Sequence, residues 1–263
     1  MISKKLAIEV LNAGLETGAD YSEIFFEDSK KYTVQLENGK VNVSSSADAC
    51  GVGIRLLKDK RCVYGYTDDL SKKGLLTLAT TLSKSFSGKR VLTVTKLDMI
   101  RGKNRNPITD SYLNHSREEK IALVRDGLNA IAGLKDPRLV RTVGVFGEHH
   151  RSVAVFNSKG KWFKRDTEFA RLVFQVIAAD QNGFEMGFEG PGTQKPISFF
   201  RTEITPEATA LKAAKCALKM LTAKECPSGV MPVVIGNGWG GVLFHEACGH
   251  PLEASAVSKN LSP

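Results

Sequence analysis

The sequence has no C-x-x-C pair, no apolar run long enough to span a bilayer, and no G-x-x-x-x-G-K-[ST] phosphate loop. Each absence removes a class of function. Five cysteines (Cys50, Cys62, Cys216, Cys226, Cys248) are an odd number scattered through 263 residues. That argues against a disulfide framework or a zinc knuckle, and for reduced thiols in a cytoplasmic protein. Met1-Ile2-Ser3-Lys4-Lys5 leads straight into a helical pattern with no signal-peptide core, so no membrane partner is expected. Without a phosphate loop, ATP-driven work has no support. Charge of one sign is not concentrated either. The net +9 comes from 14 basic and 11 acidic groups in 1–90, 10 and 7 in 91–150, and 13 and 10 in 151–263. No segment carries the clustered footprint of a nucleic-acid binder. The densest basic stretch, Arg101-Gly102-Lys103-Asn104-Arg105, reads as a solvated loop.

What is present is a pattern of elements stated twice. Ser3 is placed to cap a helix carrying Leu6, Ala7, Val10, Leu11 and Leu15. Short strands are expected at 21–26, 32–36 and 41–43, the last two joined by Asn38-Gly39, a hairpin signal. A second hairpin, 51–57 with 62–66, turns over Lys58-Asp59-Lys60, and a helix over about 70–86 closes the unit. A linker over about 88–115 follows. Ser116-Arg117-Glu118-Glu119 then forms a capping box for a helix with Ile121, Leu123, Val124, Leu128 and Ile131. Strands are expected at 139–146, 153–156, 162–163, 171–178 and 184–188, the last two joined by Asn182-Gly183. Thr205-Pro206-Glu207 opens the closing helix, with proline at its first position. Each half reads helix, four or five antiparallel strands, helix. The fold class is therefore α+β, and the repeated order suggests an internal duplication over about 3–87 and 116–222. These 222 residues read as a scaffold domain. Cys226-Pro227-Ser228-Gly229 reads as part of a linker into a second, β-rich domain, of which residues 223–263 are the start.

That second part holds the chemistry. Gly240-Gly241-Val242-Leu243-Phe244-His245-Glu246-Ala247-Cys248-Gly249-His250 places two imidazoles and a carboxylate in an apolar, glycine-rich stretch. Two neutral histidines bind a divalent ion such as zinc, and an adjacent carboxylate takes a proton from the ion's water. The familiar spacing is H-E-x-x-H, with both ligands one turn apart. Here it is H-E-x-x-x-H. On a regular helix, i and i+5 differ by roughly 140° around the axis, against roughly 40° for i and i+4. Only an i→i+5 turn or an early helix end, which Gly249 makes easy, brings the rings together. The plain alternative is two packing histidines and a capping glutamate. Gly236, Gly238 and Gly241 also spell G-x-G-x-x-G, but no βαβ unit surrounds them and Glu253 is too near to be the ribose acid. Cys248 reads as a small buried packing residue. His149 and His150 are neighbours, so on a strand they face opposite ways and read as surface or hairpin residues.

With the flanking Met231-Pro232-Val233-Val234-Ile235-Gly236-Asn237-Gly238-Trp239 and Pro251-Leu252-Glu253-Ala254, the motif closely resembles the TldD side of the TldD/PmbA family, historically labelled "modulator of DNA gyrase". The resemblance covers the family's N-terminal half. It implies a zinc metallopeptidase acting on extended or unfolded peptides, with His245 and His250 as metal ligands and Glu246 as the base that activates metal-bound water. It also implies a heterodimer with a PmbA/TldE-like paralogue lacking the motif, or a homodimer, and a third ligand from a cysteine far downstream. Because this sequence stops at Pro263, that cysteine is missing, and a truncated form inactive by itself is expected. The competing function is a non-catalytic regulator that binds a partner protein, which would not need His245, Glu246 and His250 together.

Overall fold

The computed structural model describes residues 1–181 and 183–262. They divide into two compact units, Met1–Ala223 and Lys224 onward. The first is α+β. Helix α1 (Lys4–Leu15) starts where the Ser3 hydroxyl accepts the Leu6 N–H, a cap that satisfies one of the otherwise orphaned amides of the first turn. Strands β1 (Tyr21–Glu37), β2 (Lys40–Lys58) and β3 (Arg61–Thr67) form an antiparallel meander, and α2 (Lys72–Ser83) follows. The order then recurs. The capping box of Ser116 and Glu119 opens α3 (Arg117–Ala132). Strands β5 (Leu139–Asn157), β6 (Lys161–Asp180) and β7 (Gly183–Glu189) form a second meander after a two-residue strand β4 (Asp98–Met99). A short β8 (Gly192–Thr193), a one-turn α4 (Phe199–Thr202) and α5 (Pro206–Met220) complete the unit. Asn38 and Gly39 both take positive φ in the first hairpin turn, as a two-residue turn between twisted strands requires. In the corresponding turn before β7, Asn182 lies outside the described residues.

Each meander is built from two long strands and one of seven residues, not from four or five short ones. The polar run Glu27-Asp28-Ser29-Lys30-Lys31 was expected to break β1. It continues the strand because it is paired on both sides, with β2 over Gly51–Ala47 and with β5 over Val153–His149. Backbone hydrogen bonds on both flanks hold polar residues in a strand as well as apolar ones. The two meanders meet through their first strands, giving one sheet in the order β3-β2-β1-β5-β6-β4, with β7 and β8 on β6.

All the helices of the core lie on one face. Ile24 and Phe26 pack in one cluster with α1, α2, Ile54, Leu56 and Phe156. Val34 and Leu36, further along the same strand and with the same parity, pack in a second cluster with α3, α5, Phe146 and Phe174. Side chains two apart share a face, so the clusters cover opposite ends of one surface. The expected linker is anchored to both cores: Val94 and Leu97 are buried in the first and Tyr112 in the second, and the Asn12 amide bonds the backbone of Val94 in both directions, at 2.8 and 2.9 Å.

Between the clusters that same face is polar and still buried. The Lys120 ammonium meets Glu148 at 2.8 Å, with about 5% of either side chain exposed. Glu168 accepts from the Tyr112 amide at 3.0 Å and from the Ser111 hydroxyl, and meets His150 Nδ1 at 2.7 Å. His149 and His150 therefore sit in mid-strand, half-buried, and not in a hairpin or on an open surface. They do face opposite ways: His150 points to the helix side and His149 meets the edge of Phe169 on the other, at 5.5 Å between ring centres. Burial first, and then Lys31, hold the His149 imidazole below its ordinary 6.5, and its Nε2 is buried without a partner. A histidine with a depressed folded pKa adds stability above its unfolded value, and that contribution is lost as pH falls through the folded one. We therefore expect His149→Phe to flatten the fall in stability below pH 6.5, read as urea midpoints across the acid range. A wild-type slope retained in the variant would refute this.

Candidate metal centre

The second unit begins at Lys224. None of its described residues is buried. The run Met231–Ile235, expected to be the opening strand, is not in a sheet, since no strand lies beside it to complete its backbone bonds among the described residues. Gly238, at φ +87°, turns the chain into α6 (Gly240–Phe244), and at Gly240 a Cβ would stand only 2.5 Å from Ile235 Cγ2.

The helix does not continue regularly into the motif. Residues His245–Gly249 form a π turn, and the His250 N–H donates to the His245 carbonyl five residues back. A short 3₁₀ turn, His250–Leu252, contains Pro251 and ends the run before α7 (Ala254–Ser258). Widening one turn by a residue shifts the side chains after it around the axis, so the imidazoles that a regular helix would separate come together. Their ring centres lie 4.5 Å apart, inclined at 66°. Gly249 permits this closeness, because a Cβ there would press on His245 Nδ1 at 3.2 Å.

Glu246 joins the pair. Its Oε2 lies 3.6 Å from His250 Nε2, and ligand atoms of His245, Glu246 and His250 all fall within 4.8 Å of one another. Glu253, set aside above as a ribose acid, has a place of its own: its Oε1 meets His250 Nδ1 at 2.8 Å. Glu253 first, and then Glu246, raise the His250 pKa above the ordinary imidazole value. The signal for Glu253 was its i+3 spacing from His250, which survives the break at Pro251. Cys248 is exposed rather than buried, in a unit none of whose described residues is buried, and it is outside the cluster. Two imidazoles and a carboxylate converging on one point fit a divalent ion such as zinc, though a catalytic zinc takes three protein ligands. This donor chemistry is that of metal-dependent hydrolases.

Comparison with known proteins agrees. Residues 22–85 match PmbA/TldA metallopeptidase domain 1, and residues 111–221 match the PmbA/TldA metallopeptidase central domain. The chain belongs to the PmbA/TldD family of metallopeptidases. It is 27% identical over 260 residues to the metalloprotease TldD homolog of Buchnera aphidicola from Acyrthosiphon pisum, covering 92% of this chain and 51% of the relative. To the Haemophilus influenzae homolog it is 24% identical over 267 residues, 99% of this chain and 55% of the relative. The chain thus spans about half the length of the curated relatives it matches. Among solved structures, a Bacteroides thetaiotaomicron protein carried as a modulator of DNA gyrase shares the fold at TM-score 0.69 and 19% identity, over 87% of this chain and 53% of that one. TldE from Thermococcus kodakarensis does so at 0.56 and 16%, over 81% and 47%. Among the described residues, no helix is long and apolar enough to cross a membrane.

Proposed function

We propose that the chain carries two of the metal ligands, His245 and His250, and the general base, Glu246, of a zinc-dependent peptidase that cleaves extended or unfolded peptides. The observation that carries this is the π turn, which converges the three side chains on one point. A bound zinc would supply Lewis-acid polarisation of the scissile carbonyl and of water. The Glu246 carboxylate, next in sequence to one ligand and 3.6 Å from the other, is placed to accept the proton. Glu253 holds His250 Nδ1, which fixes the tautomer that leaves Nε2 free to bind the ion. A third ligand, expected from a cysteine outside these 263 residues, and a TldE-like partner or a second copy belong to the same reading. The similarity to a TldE fold supports the partner. The repeated order of helix, three-stranded meander and helix supports reading the two halves as copies of one unit.

The test is metal affinity. With two imidazoles, the 263-residue chain should bind zinc weakly, and His245→Ala or His250→Ala should abolish that binding. Glu253→Gln should weaken it by about 10–100-fold, the usual effect of losing an outer-shell partner. Zinc titration against a chromophoric chelator reads all three. Tight, stoichiometric zinc untouched by either histidine substitution would sink the assignment.

A further inference from the structure

The far edge of β6 is covered at both ends and open in the middle. Strand β4 pairs with it at Lys161 and Trp162, and β8 at Ala170 and Arg171. Between them, Phe163–Phe169 has no strand partner on that side among the described residues. Seven residues of strand are about 23 Å of unpaired backbone. The segment 100–108 arches alongside. It is fixed at one end by the Ile100 amide on the Trp162 carbonyl at 2.8 Å, and at the other by the Asn106 side chain on Gln194 at 2.9 Å. Arch and edge enclose a cleft of about 820 Å³. The cleft is basic: Lys103 and Arg105 line it from the arch, and Lys164 and Arg165 from the strand, against one acid, Asp166, already paired with Lys164 at 3.2 Å. Lys103, Arg105 and Arg165 have no acidic partner among the described residues. At the two ends of the lane, Phe163 and Phe169 are 38% and 45% exposed and face the side of the sheet away from the helices.

We propose that this cleft takes an extended, acidic peptide segment as an added strand beside Phe163–Phe169. Unpaired edges capture extended peptides through main-chain hydrogen bonds, with alternate side chains read by the walls. Here the side chains of one parity meet Lys164, those of the other meet Phe163, Arg165 and Phe169, and Lys103 and Arg105 approach from the arch. The lane admits a short segment only, because β4 and β8 close its ends. A basic loop that reads as solvated in the sequence thus becomes one wall of a docking groove. The inference concerns the first unit and does not rest on the peptidase reading. It is tested with the metal-free 263-residue chain, so loss of docking and loss of hydrolysis are separate results.

The probe is a fluorescein-labelled heptapeptide of alternating Glu and Val, followed by anisotropy. It should bind at least about tenfold tighter than the Lys/Val peptide of the same length, a difference worth about 1.4 kcal/mol. Lys103→Glu with Arg105→Glu should lower its affinity at least about tenfold, with the circular dichroism spectrum unchanged. N-methylating every second amide of the peptide should do the same to the unaltered protein, since it removes the donors of an added strand but leaves the charge. The proposal is overturned by no binding of the acidic peptide, by equal binding of the two peptides, or by indifference to N-methylation. It is overturned equally by affinity unchanged in the charge-reversed protein, or by tighter binding of a thymidine oligonucleotide of equal length, which would make the groove a nucleic-acid site.

Discussion

Glu246→Gln, introduced into a form of the protein that hydrolyses peptides, is expected to keep its metal and to lose hydrolysis by about 10²–10⁴-fold, the range a positioned general base contributes. The amide has nearly the shape of the carboxylate, so it does not disturb the π turn that brings His245 and His250 together. It removes only the ability to take a proton. Metal content by atomic emission, measured beside kcat on the same preparation, separates this from a ligand role. If metal and activity disappear together, Glu246 is a ligand, and the base must be sought elsewhere.

The second large effect is on stability, at the buried pair between the two cores. Glu148→Ala leaves the Lys120 ammonium buried without its counter-charge, and Lys120→Met does the same to the Glu148 carboxylate, whose Oε2 already has no partner. Breaking such a pair from one side costs about 3–5 kcal/mol, whereas replacing both members with apolar groups of similar size is near neutral. The double variant Lys120→Met/Glu148→Leu should therefore recover most of the loss in urea melts. The pH response distinguishes the singles. Burial, ahead of the opposing pull of Lys120, holds Glu148 above its ordinary carboxylate value. A carboxyl with a raised folded pKa favours the fold below its unfolded pKa, and that contribution is lost as pH rises through the folded one. The Lys120→Met protein should thus regain stability on acidification relative to wild type, as Glu148 takes up a proton. A deficit independent of pH would show that Lys120 matters through its packing on Tyr32 and not through its charge.

The two parts of the molecule differ in how far they can be read from the sequence. Local signals behaved as local physics requires: Ser3, the Ser116–Glu119 box, Asn38-Gly39 and Pro206 each sit at the boundary they mark. Strand length was not legible. Lys30 and Lys31 look like loop residues until it is known that β5, far along the chain, pairs with them. Val94 and Leu97 were passed over because the apolar run Val91–Leu97 is too short and irregular to mark a helix or strand, yet they complete a core. The triad His245, Glu246 and His250 could be read because it lies within six residues. Its geometry required one inference from the spacing, and its setting could not be read at all, as Met231–Ile235 and Cys248 show. The cluster of Lys120, Glu148, His150 and Glu168 gave no signal, since its members are dispersed over three elements that only the sheet register brings together.

The seam between β1 and β5 also fixes an order of events. Within each meander the strands pair with near neighbours and close small loops, but every β1–β5 pair joins residues more than a hundred positions apart. Contacts of such separation form late, because the chain entropy of closure is lost before they contribute. Each half should therefore assemble its hairpins first, and the rate-limiting event should be the docking of the two preformed halves. Until residues beyond about 140 have left the ribosome, the nascent first half presents β1 as a bare 17-residue edge. Its Lys30 and Lys31, lying midway along that edge, then deter unwanted pairing with other chains.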